Sequence, residues 1–333
     1  MNILVTGGAG YIGSHTVQAL LADGHKVVVY DNLMKGHVDA LPENNDKAKF
    51  FLGDITDKEF VTSVIKDEKI DAVVHFAAAS LVGESQTNPS LYYNNNVAGT
   101  LALVDVLIAT GVKKLVFSST AAVYGEPDIT PITEAAALHP TNVYGRTKLM
   151  IEQILADYSA AYGLNYVALR YFNAAGAIAS GLIGEDHDPE SHLIPLILQT
   201  ALGQRPAIGI YGTDYPTPDG TCIRDYVHVC DLADAHVLAL KHLLAGGTSR
   251  VYNLGSEQGY SVKEIIATAK QVTGIDFPVQ EQTRRSGDPA VLIASSKKII
   301  EELQWQPKQS TILSIISSAW EWHQSYPDGY GDD

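Results

Sequence analysis

The chain has 333 residues, 23 Lys and Arg against 38 Asp and Glu, a formal net charge of −15 and 46% apolar residues. That apolar fraction excludes a disordered chain, and so acidic a balance excludes nucleic acid as the main partner, because a phosphate backbone requires a basic patch. The length fits one large domain or two, no apolar run approaches the roughly 20 residues of a membrane span, and no basic, long-apolar leader opens the chain.

Short apolar runs rich in branched residues predict buried parallel strands over 3–6, 26–30, 72–76, 115–118 and 166–171, with another just before Gly53. Helical spacing separates them. Ile12, Val17, Leu20 and Leu21 form one apolar face; Leu101, Val104, Val106, Leu107 and Ile108 form a second, closed by Gly111; Met150, Ile151, Ile154 and Leu155 form a third. This alternation predicts an α/β fold with a Rossmann-type doubly wound parallel sheet. Past Asn173 the texture changes, with Gly, Pro and Asp frequent over 181–189 and 211–220. A smaller C-terminal α/β region over the carboxyl edge of the sheet is expected there. Residues 224–254 return to the first pattern, with a short strand, a helix over 232–244 and a strand over 251–254. The predicted division is therefore 1–173 plus about 223–255 as the cofactor domain, and 174–222 plus about 256–333 as the substrate domain. The two cysteines, Cys222 and Cys230, are too few to staple the fold and point to a reducing cytoplasm. Too few metal ligands accompany them, so no metal is expected.

The first strand runs into Gly7-Gly8-Ala9-Gly10-Tyr11-Ile12-Gly13, which opens a helix. Glycines at this spacing permit a tight turn, close approach of a pyrophosphate and close helix–strand packing. The helix N-terminus then offers free N–H groups and the positive end of its dipole to phosphates. Asp31 ends the second strand 18 residues beyond Gly13. A carboxylate there accepts from both ribose hydroxyls and repels a 2′-phosphate, which selects NAD over NADP. Asp54, beside Ile55, either reaches the adenine amino group or caps a helix. Small residues after the fourth strand, Phe76-Ala77-Ala78, suit a cofactor lying across the sheet edge.

Tyr144-Gly145-Arg146-Thr147-Lys148 places a phenol and an ammonium on one helix face. A phenol titrates near about 10 and is a poor base at neutrality. A neighbouring cation favours phenolate, and lowering the pKa by about 3 units corresponds to about 4 kcal/mol. Phe117-Ser118-Ser119-Thr120 brings hydroxyls to the end of a strand 24 residues earlier in the chain. One of them can bond a reacting sugar oxygen and relay its proton to Tyr144.

With these blocks assembled, the chain resembles the extended short-chain dehydrogenase/reductases, most closely the UDP-glucose 4-epimerases, over nearly its whole length. The resemblance rests on residues 5–15, Tyr30-Asp31-Asn32-Leu33, Val82-Gly83-Glu84-Ser85, Arg170-Tyr171-Phe172-Asn173, Asp214-Tyr215-Pro216-Thr217 and Arg224-Asp225-Tyr226-Val227-His228-Val229. It implies reversible C4 epimerisation of a UDP-hexose: Tyr144 takes the 4-hydroxyl proton while hydride passes to NAD, and the keto sugar turns over and takes it back on its other face. It implies that Lys148 lowers the Tyr144 pKa and binds the nicotinamide ribose, and that Thr120 is the catalytic hydroxyl. The implied cofactor set is Gly7, Gly10, Tyr11, Ile12, Gly13, Asp31, Asn32, Asp54, Ile55, Phe76, Ala77, Ala78, Asn95, Tyr144, Lys148 and Tyr171. The implied substrate set is Thr120, Asn173, His192, Leu193, Gly209, Tyr211, Arg224, Arg285 and Asp288. Within it Arg224 and Arg285 clamp the diphosphate, Asp288 takes the uridine ribose and Tyr211 holds uracil.

The chain departs from the family in carrying Ser80 where many members have a lysine on the cofactor phosphates, and His192 where an asparagine usually serves the substrate. Leu292 stands where bulk limits N-acetylated sugars, leaving 4-epimerisation of a UDP-N-acetylhexosamine or a UDP-pentose open. A nucleotide-sugar dehydratase would need an acid pair at Ala121 and Ala122, which transfer no protons, and a non-catalytic NAD sensor would have no use for Tyr144 and Lys148. The resemblance further implies a homodimer paired through helices around 91–110 and 148–162, where Tyr92 and Tyr93 fit either an interface or a core.

Overall fold

The computed structural model describes residues 1–43, 45–285 and 288–331. The first half runs β1 (Asn2–Thr6), α1 (Tyr11–Ala22), β2 (Lys26–Asp31), β3 (Ala48–Leu52), α2 (Lys58–Asp67), β4 (Ala72–His75), α3 (Val82–Thr87), α4 (Pro89–Tyr92), α5 (Gly99–Thr110), β5 (Lys114–Thr120), α6 (Val143–Tyr162) and β6 (Asn165–Tyr171). The second half runs β7 (Asn173–Ala175), α7 (Leu193–Ala201), β8 (Ile208–Tyr211), β9 (Ile223–His228), α8 (Val229–Leu244), β10 (Arg250–Leu254), β11 (Gly259–Ser261), α9 (Val262–Thr273), β12 (Val279–Gln282), β13 (Val291–Leu292), α10 (Lys297–Leu303) and α11 (Ile312–Ser325).

Seven strands pair in parallel in the order β10-β6-β5-β4-β1-β2-β3. The chain leaves β1 toward β2 and β3, then crosses back to β4 on the other side of β1. The crevice outside the carboxyl ends of β1 and β4 is thus a topological switch point, where open parallel sheets hold their ligands. Both faces of the sheet are covered. Ile3, Val5, Val27, Val29, Ala72 and Val74 pack with Val17 and Leu20 of α1 and Leu232 and Leu240 of α8. Their neighbours Leu4, Val28 and Val73 point the other way, against Val64 of α2, Leu103 of α5 and Ile151 and Leu155 of α6. A strand buried on both faces has no polar side to show, hence the continuous apolar runs in the sequence.

The remaining strands form small sheets. β9 pairs with β7 and β13 in parallel and with β11 antiparallel, while β8 pairs with β12. Of residues 224–254, the strand β10 joins the large sheet and α8 packs on it, while β9 pairs in the small sheet. β9 divides its side chains between two cores, Val227 against the large sheet and Tyr226 against a third core that includes Ile197, Ile265 and Ile315. α8 begins at Val229, three residues earlier than the periodicity predicts, because the His228 ring caps it by accepting from the Cys230 N–H at 3.1 Å. β5 also runs further than expected, so that Ser118, Ser119 and Thr120 remain in register with Leu169, Arg170 and Tyr171. Both cysteines are free, Cys222 buried and Cys230 half-buried. Among the described residues no helix is long and apolar enough to cross a membrane.

Candidate active site

The glycine turn is built against the end of β4. The Thr6 carbonyl accepts from Phe76 N at 2.8 Å and Ala77 N at 3.1 Å. Gly7 has φ +70°, and a Cβ on it would stand 2.5 Å from Ala77 N; one on Gly13 would stand 2.1 Å from the Gly7 carbonyl oxygen. Packing therefore dictates both glycines. It does not dictate Gly10, where the nearest atom to an added Cβ is 3.4 Å away. Above Gly10 the first turn of α1 has no side-chain cap. Among the described residues no acceptor meets the N–H groups of Tyr11, Ile12 and Gly13.

Asp31 is buried and ties this turn down: Oδ2 accepts from Ala9 N at 3.0 Å and Oδ1 from Leu33 N at 2.9 Å. Burial raises its pKa, and these N–H donors work against that rise. The exposed Asn32 donates to Asp54 Oδ2 at 2.9 Å, while Asp54 Oδ1 accepts from the Thr56 N–H at 2.9 Å. The helix-cap alternative for Asp54 is corrected here: Asp57 caps α2 through the Phe60 N–H. Ile55 is buried against Gly99. The Phe76 ring packs 4.7 Å from that of His236, and Ala77 and Ala78 are half-buried beside the turn. Asn95 donates to Asn96 Oδ1 at 3.0 Å; the buried Asn96 in turn brackets Ala79, accepting from its N–H and donating to its carbonyl. Ser80 is exposed just beyond. Tyr92 is fully buried, its hydroxyl on the Leu81 carbonyl and the Glu84 carboxylate, which settles it as a core residue.

Asn142 caps α6 by accepting from Gly145 N at 2.7 Å, which starts the helix one residue before Tyr144 and points Tyr144 and Lys148 at β5. Gly145 is required there, since a Cβ would meet the Ala122 carbonyl oxygen at 2.6 Å. Thr120 Oγ1 accepts from Ala122 N at 3.1 Å, closing the short turn after β5. Lys148 is buried; its Nζ donates to the Ser118 carbonyl at 2.8 Å and lies 5.9 Å from the Tyr144 ring centroid. Burial drives the Lys148 ammonium down to about 7, against the upward pull of Glu152. Burial pushes the Tyr144 phenol up to about 12, with only the Thr120 hydroxyl working the other way. In the chain alone Lys148 is not among the groups that shift the Tyr144 phenol. The dry pocket disfavours both charged forms, and the lysine is spent on a backbone carbonyl. Tyr171 is buried with its hydroxyl against Ser118 Oγ.

The second wall carries the other residues singled out in the sequence. Asn173 donates its amide to the Asp225 carbonyl at 2.8 Å. Arg224 is ion-paired with Asp288 and also bonds the Ile223 carbonyl. β8 and β12 place Tyr211 beside Gln282, and three residues on, the Arg285 guanidinium carbon lies 3.9 Å over the Tyr211 ring. Gly209 lies in β8 and Leu292 in β13, where it is in register with Arg224. His192 is the N-cap residue of α7, followed by Leu193, and its ring turns to Glu185 and Glu190. Ser286 and Gly287, the middle of the Arg-Arg-x-Gly-Asp element, lie outside the described residues.

Sequence reasoning missed the layer beneath Lys148. Glu152 takes hydrogen bonds from Ser119 Oγ and from Arg170 Nε at 3.0 Å, while Arg170 also reaches the Tyr124 hydroxyl at 2.8 Å. All are buried or nearly so. The available signal was spacing, because Glu152 follows Lys148 by four residues on the same helix face.

Residues 3–255 match the model of the NAD dependent epimerase/dehydratase family. The chain is 54% identical over 333 residues to a UDP-glucose 4-epimerase of Halalkalibacterium halodurans, spanning 100% of this chain and 98% of the relative. It superposes on a crystal structure of a UDP-glucose 4-epimerase with TM-score 0.97 at 55% identity, over 100% of both chains. For the Bifidobacterium longum UDP-glucose 4-epimerase in complex with NAD+ and UDP the TM-score is 0.93 at 40% identity, over 99% of this chain and 100% of the other. The chain belongs to the NAD dependent epimerase/dehydratase family.

Proposed function

We propose that the chain is an isomerase that interconverts UDP-galactose and UDP-glucose at C4 by transient oxidation with bound NAD. The observation that carries this reading is the buried Tyr144, set with Thr120 and Lys148 at the carboxyl end of β5, near a dinucleotide cradle at the switch point. The cradle fits NAD on its own geometry. Gly10 has no packing reason to be glycine, three N–H groups at the start of α1 await an acceptor, and Asp31 presents a carboxylate where a ribose diol would lie. Bound there, NAD supplies a hydride acceptor at C4 that ends each turnover unchanged. The relatives support the same reading, being UDP-glucose 4-epimerases, one in complex with NAD+ and UDP.

The chain's own residues divide the remaining work. Gly7, Gly10, Tyr11, Ile12 and Gly13 hold the pyrophosphate, Asp31 and Asn32 the adenosine ribose, Asp54 and Ile55 the adenine, and Phe76, Ala77, Ala78, Asn95 and Tyr171 the space along the sheet edge. Tyr144 accepts the 4-hydroxyl proton, with Thr120 bonding the same oxygen. Burial pushes the phenol up to about 12 in the chain alone, and the positive charge of oxidised NAD, when bound beside Tyr144, would favour the phenolate. Arg224 and Arg285 take the diphosphate by exchanging their present partners, Asp288 and the Tyr211 ring, for it. Asn173, His192, Leu193, Gly209, Tyr211 and Asp288 complete the UDP-sugar wall.

The same reading divides the chain into a cofactor domain, 1–173 with about 223–255, and a substrate domain from the rest. It pairs two copies through α5 and α6, supported by the exposed apolar Leu101, Met150 and Tyr162 on those helices. It places the protein in the cytoplasm, in keeping with two free thiols. To test the reaction, the protein is incubated separately with UDP-galactose, UDP-N-acetylgalactosamine and UDP-arabinopyranose, with added NAD, and products are followed by proton NMR. The C4 epimer is expected fastest from UDP-galactose; no epimer from any of the three sinks the reading.

A further inference from the structure

One cluster lies outside the machinery assigned so far, apart from His192. The loop 185–192 crosses the glycine turn: the Asp188 carbonyl accepts from Lys35 Nζ, and the His187 ring stands edge-on to that of Tyr11 at 6.2 Å. Two carboxylates and two imidazoles converge within it. His192 Nδ1 lies 2.9 Å from Glu185 Oε1 and 3.0 Å from Glu190 Oε1. His187 Nδ1 lies 3.4 Å from Glu185 Oε1 and 3.7 Å from Glu190 Oε2. One donor atom from each of the four residues lies within 4.8 Å of every other.

Two imidazolium–carboxylate ion pairs also balance these charges, so a metal ion would take the cluster by displacing both imidazole protons. His187 Nδ1 is buried, faces the cluster and makes no hydrogen bond among the described residues. The two imidazole rings lie 5.2 Å apart, so two imidazolium charges would oppose each other. A tetrahedral ion with N and O ligands at about 2.0–2.2 Å has ligand–ligand edges of about 3.3–3.6 Å. The four His–Glu spacings bracket that range. Two neutral imidazoles and two carboxylates also balance a doubly charged ion. Ca²⁺ and Mg²⁺ would require six or more oxygens, whereas an N₂O₂ set suits zinc. The side chains of Glu185 and Glu190 are 5% and 6% exposed, while that of His192 is 46% exposed and leaves an entry path.

We propose that Glu185, His187, Glu190 and His192 form a site for one divalent transition ion, zinc by its chemistry. The ion ties the loop 185–192 to the start of α7 and against Tyr11 of the dinucleotide turn. The site does not depend on the reaction proposed above. Reading metal potential from cysteines alone overlooks it, because its ligands are His and Glu from an irregular loop that only the fold brings together.

The test uses the untagged full chain, stripped with a chelator and free of UDP-sugar, titrated with Co²⁺ and then Zn²⁺. Calorimetry is expected to count one ion per chain. The strong visible absorption of four-coordinate cobalt should appear and then vanish on adding zinc, and zinc should raise the melting midpoint. His187→Ala and His192→Asn, each checked for folding by circular dichroism, should lose both the absorption and the shift. His192 is at the surface, so its variant keeps the test decisive if the other fails to fold. No saturable binding by the folded wild-type chain, or stoichiometric binding that survives both substitutions, overturns the proposal.

Discussion

Lys148 Nζ donates to the Ser118 carbonyl at 2.8 Å, and its pKa is driven down to about 7 by burial. Unfolded, the same ammonium titrates near about 10.4. Between these values the unfolded chain binds more protons, so stability rises with pH across that window. The burial cost is full below about pH 7 and gone above about 10.4. Lys148→Met removes it while leaving one carbonyl without its donor, which costs about 1–3 kcal/mol. The NAD-free variant is therefore expected to be about 1–3 kcal/mol more stable than wild type at pH 6, with the advantage shrinking as pH rises, and to be nearly inactive. Urea unfolding at pH 6 and pH 9 checks this; a variant less stable at pH 6 contradicts it.

Gly13→Ala drives a methyl to within 2.1 Å of the Gly7 carbonyl, so the turn must open. Loss of measurable NAD binding in a calorimetric titration is expected. Gly83→Ala, in α3, is the control: nothing lies within 4 Å of the added methyl. It should bind NAD normally and gain up to about 1 kcal/mol from helix propensity. Equal NAD affinities for the two variants would show that the glycine turn is not the cradle.

Asp31→Asn places an amide NH₂ opposite one of two N–H donors, those of Ala9 and Leu33, and removes the charge that repels a 2′-phosphate. NAD affinity should fall by about tenfold or more, corresponding to at least 1.4 kcal/mol, while NADP affinity should fall less or rise. Parallel titrations with the two dinucleotides read the ratio. An unchanged ratio would remove Asp31 from the ribose site.

Arg170→Met strands the Glu152 carboxylate in a buried layer, where leaving one partner of an ion pair unpaired costs about 3–5 kcal/mol. The paired replacement Arg170→Met with Glu152→Leu should recover much of that loss in urea unfolding. A double variant as unstable as the single one would show that packing, not the stranded charge, sets the cost.

The large sheet was legible because every strand buried on both faces must be apolar throughout, and glycines that packing dictates must remain glycine. Gly7 and Gly13 fall where the motif places them for that reason. The weaker readings failed where a local pattern has two physical meanings. Asp54 reads in sequence as either a helix cap or an adenine contact, and only the start of α2, capped by Asp57, removes the first. β9 reads as a strand either way, but its partners are set by Asp225, which sits fully buried while accepting from Ser256 and Ala294. The pKa of Tyr144 depends on dryness contributed by several elements at once, which an i, i+4 spacing does not report. Glu185, His187 and Glu190 gave no periodic signal at all, because they stand in an irregular loop outside any helix or strand.

The claim at the centre of this account is that Tyr144 takes the proton of the sugar 4-hydroxyl. The most direct test compares wild type and Tyr144→Phe, each with NAD bound, in the interconversion of UDP-galactose and UDP-glucose followed by NMR. Removing a general base typically costs about 10²–10⁴-fold, so the phenylalanine variant should fall by that factor while retaining NAD at wild-type occupancy. Turnover within a few fold of wild type at equal NAD occupancy would contradict the assignment.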